Sequence, residues 1–365
     1  MNINVLKNDE KAIFSLRELY GKYGYSQFKM SKFEEYDLYV RNKNFLVSDN
    51  IITFTDTDGK LMALKPDVTL SIIKNSKDTE KAVQKLYYNE NVYRVSKGTQ
   101  SFKEIMQVGL ECIGDVDEYC IFEVLLLAAQ SLDSISEDCV LDISHLGIVS
   151  DVLDELKLSA EGRKAVVQCI GEKNIHGIAA ILSDENVDGT ALKKLVSTYG
   201  TPEKVFPLLD EIGTENAKEL KKIVTLVEQN GFKGRVRIDF SVINDMNYYN
   251  GFVFKGFVNG IATGILSGGQ YDNLMNKMRK KSKAIGFAVY LDMLERLGTE
   301  ENEYDVDTVL LYDENADLVT LKNAVEMLNA NGKTVLVLKQ IPEKTKYRQL
   351  LKLNEKGVEI VEANA

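Results

Sequence analysis

Three segments concentrate side chains that can do chemistry. The first is Leu64-Lys65-Pro66-Asp67-Val68-Thr69. An acid at a helix start can hold an ammonium group, although helix N-termini also favour acids for purely structural reasons. The second is Tyr93-Arg94 with Gln107, Gly109 and Glu111. Positions 107, 109 and 111 are spaced by two, so in a strand they share one face. A Gln and a Glu side by side on an inward face need partners, which a polar ligand or Arg94 can supply. The third is Asn244-Asp245-Met246-Asn247-Tyr248-Tyr249-Asn250, followed by Ser267-Gly268-Gly269-Gln270-Tyr271-Asp272. Paired glycines let a ligand approach the backbone closely, and they also simply make turns.

These segments need a frame. Residues 9–25 have the period of an amphipathic helix, with Ile13, Leu16, Leu19 and Tyr20 on one face. Residues 51–65 read as a hairpin around Asp56-Thr57-Asp58-Gly59, and Pro66 to Thr69 start a helix. Strand-like runs fill 86–114 around a polar loop at 96–101. A hydrophobic helix over 118–132 and a strand ending at His145 follow. From 147 to 233 helical periods dominate, as in Leu220, Ile223, Val224 and Val227, with Asn230-Gly231 as a stop. Strand patterns return at 236–240. Phe252 to Phe257, Asn259-Gly260 and Ile261 to Leu266 then predict a hairpin with a tight turn. Residues 298–305 form an acidic linker. Beyond it the order strand, helix, strand, helix (Tyr347 to Leu353), strand predicts a small α/β domain with a parallel sheet.

The bulk numbers bound the function. The chain has 365 residues, 44% hydrophobic and 27% charged, which is ample for two or three folded domains. The formal net charge is −10 and there is no long Lys/Arg block, which argues against a nucleic-acid substrate. Four cysteines in no CxxC pair and two histidines give no metal-ligand or triad pattern, so no metal and no cofactor are expected. The N-terminus lacks a signal-peptide pattern and no apolar run is long enough to span a bilayer. A cytoplasmic location without membrane contact is the expectation.

Taken in order, the segments resemble the histidyl-tRNA synthetase family over most of residues 1–297. LKPDVT is similar to that family's LRPEGT. VYRVS followed by FKEIMQVGLECIG is similar to motif 2, FRHE followed by a QxGxE strand. INDMNYYNG is similar to the histidine loop RGLDYYN, and SGGQYDNL with AIGFAVYLDML to GGRYDGL with motif 3. The resemblance implies an α+β fold: a class II synthetase-like antiparallel sheet with flanking helices over 1–297, a helical insertion at about 147–233, and a small α/β domain at 306–365 resembling a reduced anticodon-binding domain. It implies a histidine pocket in which Asp67 and Thr69 face the ligand ammonium and Gln107 holds its backbone. Glu111 and Tyr249 would address the two imidazole nitrogens, Tyr271 would wall the pocket, and Tyr248 and Arg94 would complete the set.

The departures from the pattern bear on activity. The motif 3 arginine, which lies against ATP in the family, matches Met293, and a thioether offers a polyphosphate neither charge nor N–H donors. The histidine-loop arginine matches Asn244. The acid after the motif 2 arginine is Ser96, the arginine of GGRYD is Gln270, and the proline of motif 1 is Ser31. Losing one well-placed transition-state donor costs on the order of 100- to 1,000-fold in rate. A synthetase-like chain with a histidine pocket and disabled ATP chemistry resembles the regulatory subunits of ATP phosphoribosyltransferase. That implies no catalytic residue of its own, a short-form catalytic subunit as partner, and L-histidine as effector. Through the motif 1-like residues 23–37 it implies a homodimer within a hetero-oligomer. The alternative is a divergent histidyl-tRNA synthetase or another histidine-dependent ligase.

Overall fold

The computed structural model describes residues 6–42, 51–78, 81–95, 101–243, 248–297, 304–341, 343–354 and 357–363. Asn244 and Ser96, two of the departures named above, lie outside them. The chain divides into two compact units, Met1–Leu297 and Gly298–Ala365.

The first unit begins with α1 (Asn8–Lys22), β1 (Ser26–Gln27), β2 (Phe33–Glu35), α2 (Tyr36–Arg41), β3 (Thr53–Thr55), β4 (Leu61–Leu64) and α3 (Thr69–Asn75). A long hairpin follows, β5 (Val83–Val95) and β6 (Phe102–Gly114), then α4 (Glu118–Ile135) and β7 (Cys139–His145). Six helices come next: α5 (Leu146–Leu156), α6 (Ala160–Gly171), α7 (Ile175–Asp184), α8 (Thr190–Ser197), α9 (Pro202–Ile212) and α10 (Glu215–Val227). The unit closes with β8 (Val236–Ile238), β9 (Phe252–Val258), β10 (Leu266–Gln270), α11 (Asp272–Lys277) and β11 (Lys283–Tyr290).

An eight-stranded sheet in the order β1-β5-β6-β11-β10-β9-β7-β8 organises this unit. Its inner pairs are antiparallel, and the outermost pairs, β1 with β5 and β7 with β8, are parallel. A parallel pair needs a crossover, and the helices α5 to α10 supply it between β7 and β8. Alternation gives the sheet two distinct faces. Val108, Leu110 and Cys112 of β6 pack with Leu16 and Tyr20 of α1 and with Val124, Leu125 and Leu132 of α4 in the larger core. Asp117 caps α4 by accepting a hydrogen bond from the Cys120 N–H at 2.9 Å. The opposite face carries a second cluster, with Tyr88, Val92, Tyr248 and Tyr271 against Leu70, Ile72 and Ile73 of α3. This second face holds the candidate site.

Two local expectations are corrected. The strands flanking Asn259-Gly260 do pair, but the second one starts at Leu266, and residues 261–265 belong to the connection. Asn259-Gly260 does make the expected turn, the Ile261 N–H donating to the Val258 carbonyl at 3.2 Å, and Asn259 also ties it to the start of β7, its N–H and its Nδ2 donating to the Asp138 carbonyl (3.0 Å) and carboxylate (2.7 Å).

In the second unit β12 (Val306–Leu311), α12 (Leu318–Ala330) and β13 (Val335–Leu338) follow the expected alternation, but Tyr347–Asn354 is a strand, β14, hairpinned to β15 (Gly357–Ala363). The order is β13-β12-β14-β15, parallel except for the last pair. Leu350 packs on one face with Val306 and Val309, whereas Leu351 and Leu353 pack on the other with Leu310 and Ala324. A two-sided burial of this kind requires a strand in the sheet interior. Among the described residues no helix is long and apolar enough to cross a membrane.

Candidate functional site

The site is built on the face of the large sheet that turns away from α1 and α4. The register places Gln107 beside Glu90 of β5 and Tyr290 of β11, Gly109 beside Tyr88 and Ala288, and Glu111 beside Leu86 and Gly286. The glycines leave room for their neighbours. A Cβ on Gly109 would lie 2.4 Å from the Tyr88 hydroxyl, and one on Gly286 would lie 1.8 Å from Glu111 Oε2. At Gly109 and Gly286 the floor carries no side chain, which leaves room for Tyr88 and Glu111.

Above this floor stand two chain segments. The first is the turn from Lys65 into α3. Asp67 accepts a hydrogen bond from the Leu70 N–H at 3.0 Å and so caps the helix start. Thr69, in the first turn, donates its hydroxyl to Glu111 Oε1 at 2.9 Å. Arg94 reaches across from β5 and donates Nε to the Pro66 carbonyl at 3.1 Å. The second segment is the end of the loop that carries Tyr248 and Tyr249. Asn250 anchors it to the start of α11, exchanging two hydrogen bonds with Asp272: Nδ2 to Oδ2 at 3.0 Å and the Asp272 N–H to Oδ1 at 2.8 Å. The rings of Tyr248 and Tyr249 lie 4.5 Å apart, and those of Tyr248 and Tyr271 5.9 Å. Tyr271 donates its hydroxyl to Glu111 Oε2 at 2.6 Å.

All eight residues singled out in the sequence thus gather on one face. Asp67, Thr69, Arg94, Glu111, Tyr248, Tyr249 and Tyr271 form the cluster, and Gln107 lies one register step from Glu111 through Gly109. Burial dominates its electrostatics. Glu111 is 2% exposed, and desolvation pushes its carboxyl up to about 8 against the two hydroxyl donors that hold it down. Burial also raises Asp67, opposed first by the Leu70 N–H and then by Arg94. Tyr88, Tyr248, Tyr249 and Tyr271 are raised well above the ordinary phenol value, mainly by burial. The cluster therefore presents phenol donors and aromatic faces around two buried carboxyl groups, Glu111 and Asp67. Such a set suits a small ligand with an ammonium group and a ring bearing both a donor and an acceptor.

The described positions that depart from the family pattern have other uses. Met293 is half-buried, packs against the larger core and accepts a weak contact from the Thr263 hydroxyl at 3.8 Å. Gln270 turns its Oε1 to the Phe252 N–H at 2.7 Å, tying the end of β10 to the start of β9. Ser31 bonds the Phe33 N–H two residues on, at 3.1 Å. Among the described residues no group of three or more His, Cys, Asp or Glu side chains is placed to hold a metal ion. Sequence reading missed Tyr88, Glu90 and Tyr290. The two residues on β5 were within reach of the period-two rule, since 88, 90, 92 and 94 share a face with Arg94.

Known proteins share this family and fold. The sequence profile described as Histidyl-tRNA synthetase matches residues 5–294. An ATP phosphoribosyltransferase regulatory subunit from Caldanaerobacter subterraneus subsp. tengcongensis is 30% identical over 76% of this chain and 75% of its own length. A solved structure from Bacillus halodurans, described as an ATP phosphoribosyltransferase regulatory subunit/histidyl-tRNA synthetase, superposes with a TM-score of 0.74 at 22% identity, covering 94% of this chain and 93% of that one. A chain of the ATP phosphoribosyl transferase (HisG:HisZ) complex from Thermotoga maritima superposes with a TM-score of 0.63 at 19% identity, covering 77% and 96%. Fold and site together define a class II synthetase-like protein. The chain belongs to the histidyl-tRNA synthetase family and, within it, to the ATP phosphoribosyltransferase regulatory subunits.

Proposed function

We propose that this chain is a non-catalytic subunit that the short-form ATP phosphoribosyltransferase catalytic subunit requires for activity, and that it confers feedback inhibition by L-histidine at the first step of histidine biosynthesis. One observation carries this reading: the acid-and-tyrosine cluster around Glu111 is assembled, while Met293 and Gln270 are committed to packing and backbone bonding. In the bound state Asp67 and Thr69 would meet the ligand ammonium, and Glu111 and Tyr249 its imidazole. Histidine then acts by linkage, binding unequally to two states of the hetero-oligomer. A homodimer formed through residues 23–37 is part of the same proposal, and the solved Thermotoga complex supports the partner assignment.

The test is reconstitution. The short catalytic subunit alone should be nearly inactive, mixing should restore transferase activity, and L-histidine should then inhibit it. Arg94 and the C-terminal α/β unit, which resembles a reduced anticodon-binding domain, favour a divergent synthetase instead. Clear histidine-dependent ATP–pyrophosphate exchange by the pure chain would sink the regulatory reading.

A further inference from the structure

Lys65 is fully buried, with 0% of its side chain exposed, and its Nζ lies 2.8 Å from Glu90 Oε2. Neither residue belongs to the cluster around Glu111, yet each adjoins it. Lys65 stands two residues before Asp67. Glu90 is the register neighbour of Gln107 on the site face. The other oxygen of Glu90 accepts the Met30 N–H at 3.4 Å. The Lys65 backbone is held on both sides, its N–H by the Lys32 carbonyl at 3.1 Å and its carbonyl by the Tyr93 N–H at 2.8 Å. One ion pair therefore joins three pieces: the ligand-facing turn, the sheet floor under Gln107, and the segment 28–35. That segment continues into β2, which pairs with β4 directly ahead of Lys65. On its outer side Phe33 is 46% exposed and packs edge-on against Phe54 at 5.2 Å.

An apolar pair of similar volume would fill the same space about as stably, because desolvating two charges offsets most of their attraction. What an ion pair adds is direction: Lys65 and Glu90 have one satisfactory arrangement and move together. We propose that Lys65 and Glu90 are positioning residues that couple ligand binding at Asp67 and Gln107 to the segment 28–35. The proposal rests on the histidine reading of the site and adds its outlet. A ligand that draws Asp67 toward Gln107 shifts the pair as a unit, and Met30 and Lys32 follow through their backbone bonds.

Hydrogen exchange on the full chain, with and without L-histidine, tests this beside calorimetry on the same samples. In the native chain histidine should slow exchange at 65–73 and at 28–35 together, by a factor of roughly 5 or more. Lys65→Arg should preserve both effects. The double variant Lys65→Met/Glu90→Met should keep the protection at 65–73 and lose it at 28–35, a change that a purely structural pair would not produce. Equal protection of 28–35 in native and double variant, or none there in the histidine-bound native chain, overturns the proposal. Should the double variant not fold, Glu90→Gln takes its place with the same expectations. If calorimetry shows no histidine binding, the histidine reading falls by itself. The coupling is then judged without ligand: the variant should exchange faster at Met30 and at 65–70 together, and unchanged rates at either overturn it.

Discussion

Two regions of the first unit use their side chains in opposite ways: the cluster around Glu111 on one face of the sheet, and Gln270 at the end of β10 with Met293, just past β11 and packed on the larger core. Around Glu111, buried polar groups are gathered and mutually satisfied: Thr69 and Tyr271 both donate to one carboxyl group. Toward Met293 and Gln270, positions where the family carries cations serve packing and backbone bonding. Under the proposed function, a burial cost is kept where the ligand is read and shed where phosphate chemistry would have been. A fold can lose a reaction and keep a recognition surface, because the two depend on different side chains of one scaffold.

Three changes probe that contrast, from the largest effect to the smallest. The first concerns the charge of Glu111. Its carboxyl is raised from 4.5 to about 8 in the folded chain, so the stability it contributes is full below about pH 4.5 and is lost as pH rises toward 8. Glu111→Gln should remove that slope, gaining roughly 2–5 kcal/mol relative to the native chain between pH 4.5 and pH 8, as urea unfolding would measure. The same variant should weaken histidine binding roughly 10- to 100-fold in calorimetry. A variant that binds histidine as well as the native chain breaks the assignment of Glu111.

The second change fills the floor. Gly286→Ala places a methyl group 1.8 Å from Glu111 Oε2 and 2.4 Å from the Leu110 carbonyl. The expected cost is about 1–3 kcal/mol of stability, with a loss of histidine affinity, seen by thermal unfolding and calorimetry. The smallest effect belongs to the other region. Met293→Arg restores a cation at a half-buried position and should change stability by about 1 kcal/mol or less, leave histidine affinity within roughly 2-fold and produce no pyrophosphate exchange. Exchange activity in that variant would show that the two regions have not diverged as far as the packing indicates.

Much of this architecture was legible where the pattern is local. The spacing of Gln107, Gly109 and Glu111 named a face, and the register of β6 against β5 and β11 is what that face requires. The cap at Asp67 and the helices of the insertion followed from the same short-range rules. What escaped was set at long range. Leu350-Leu351-Lys352-Leu353 suits a helix face as well as a strand buried on both sides, and only the neighbours β12 and β15 decide between them. Asn259-Gly260 has the residues of a tight turn and makes one, but the strand that pairs back on β9 starts only at Leu266. Lys65 and Glu90 are 25 positions apart and show no mutual pattern until the hairpin folds.

The two hydroxyls on Glu111 have one more consequence, for the entropy of binding. Each carboxyl oxygen accepts one hydroxyl and keeps a second lone pair, so under the proposed function an incoming ring nitrogen meets an acceptor whose rotamer Thr69 and Tyr271 already fix. Ordering a free side chain at the moment of binding costs about 0.5–1.5 kcal/mol, and a glutamate held in advance is spared that cost.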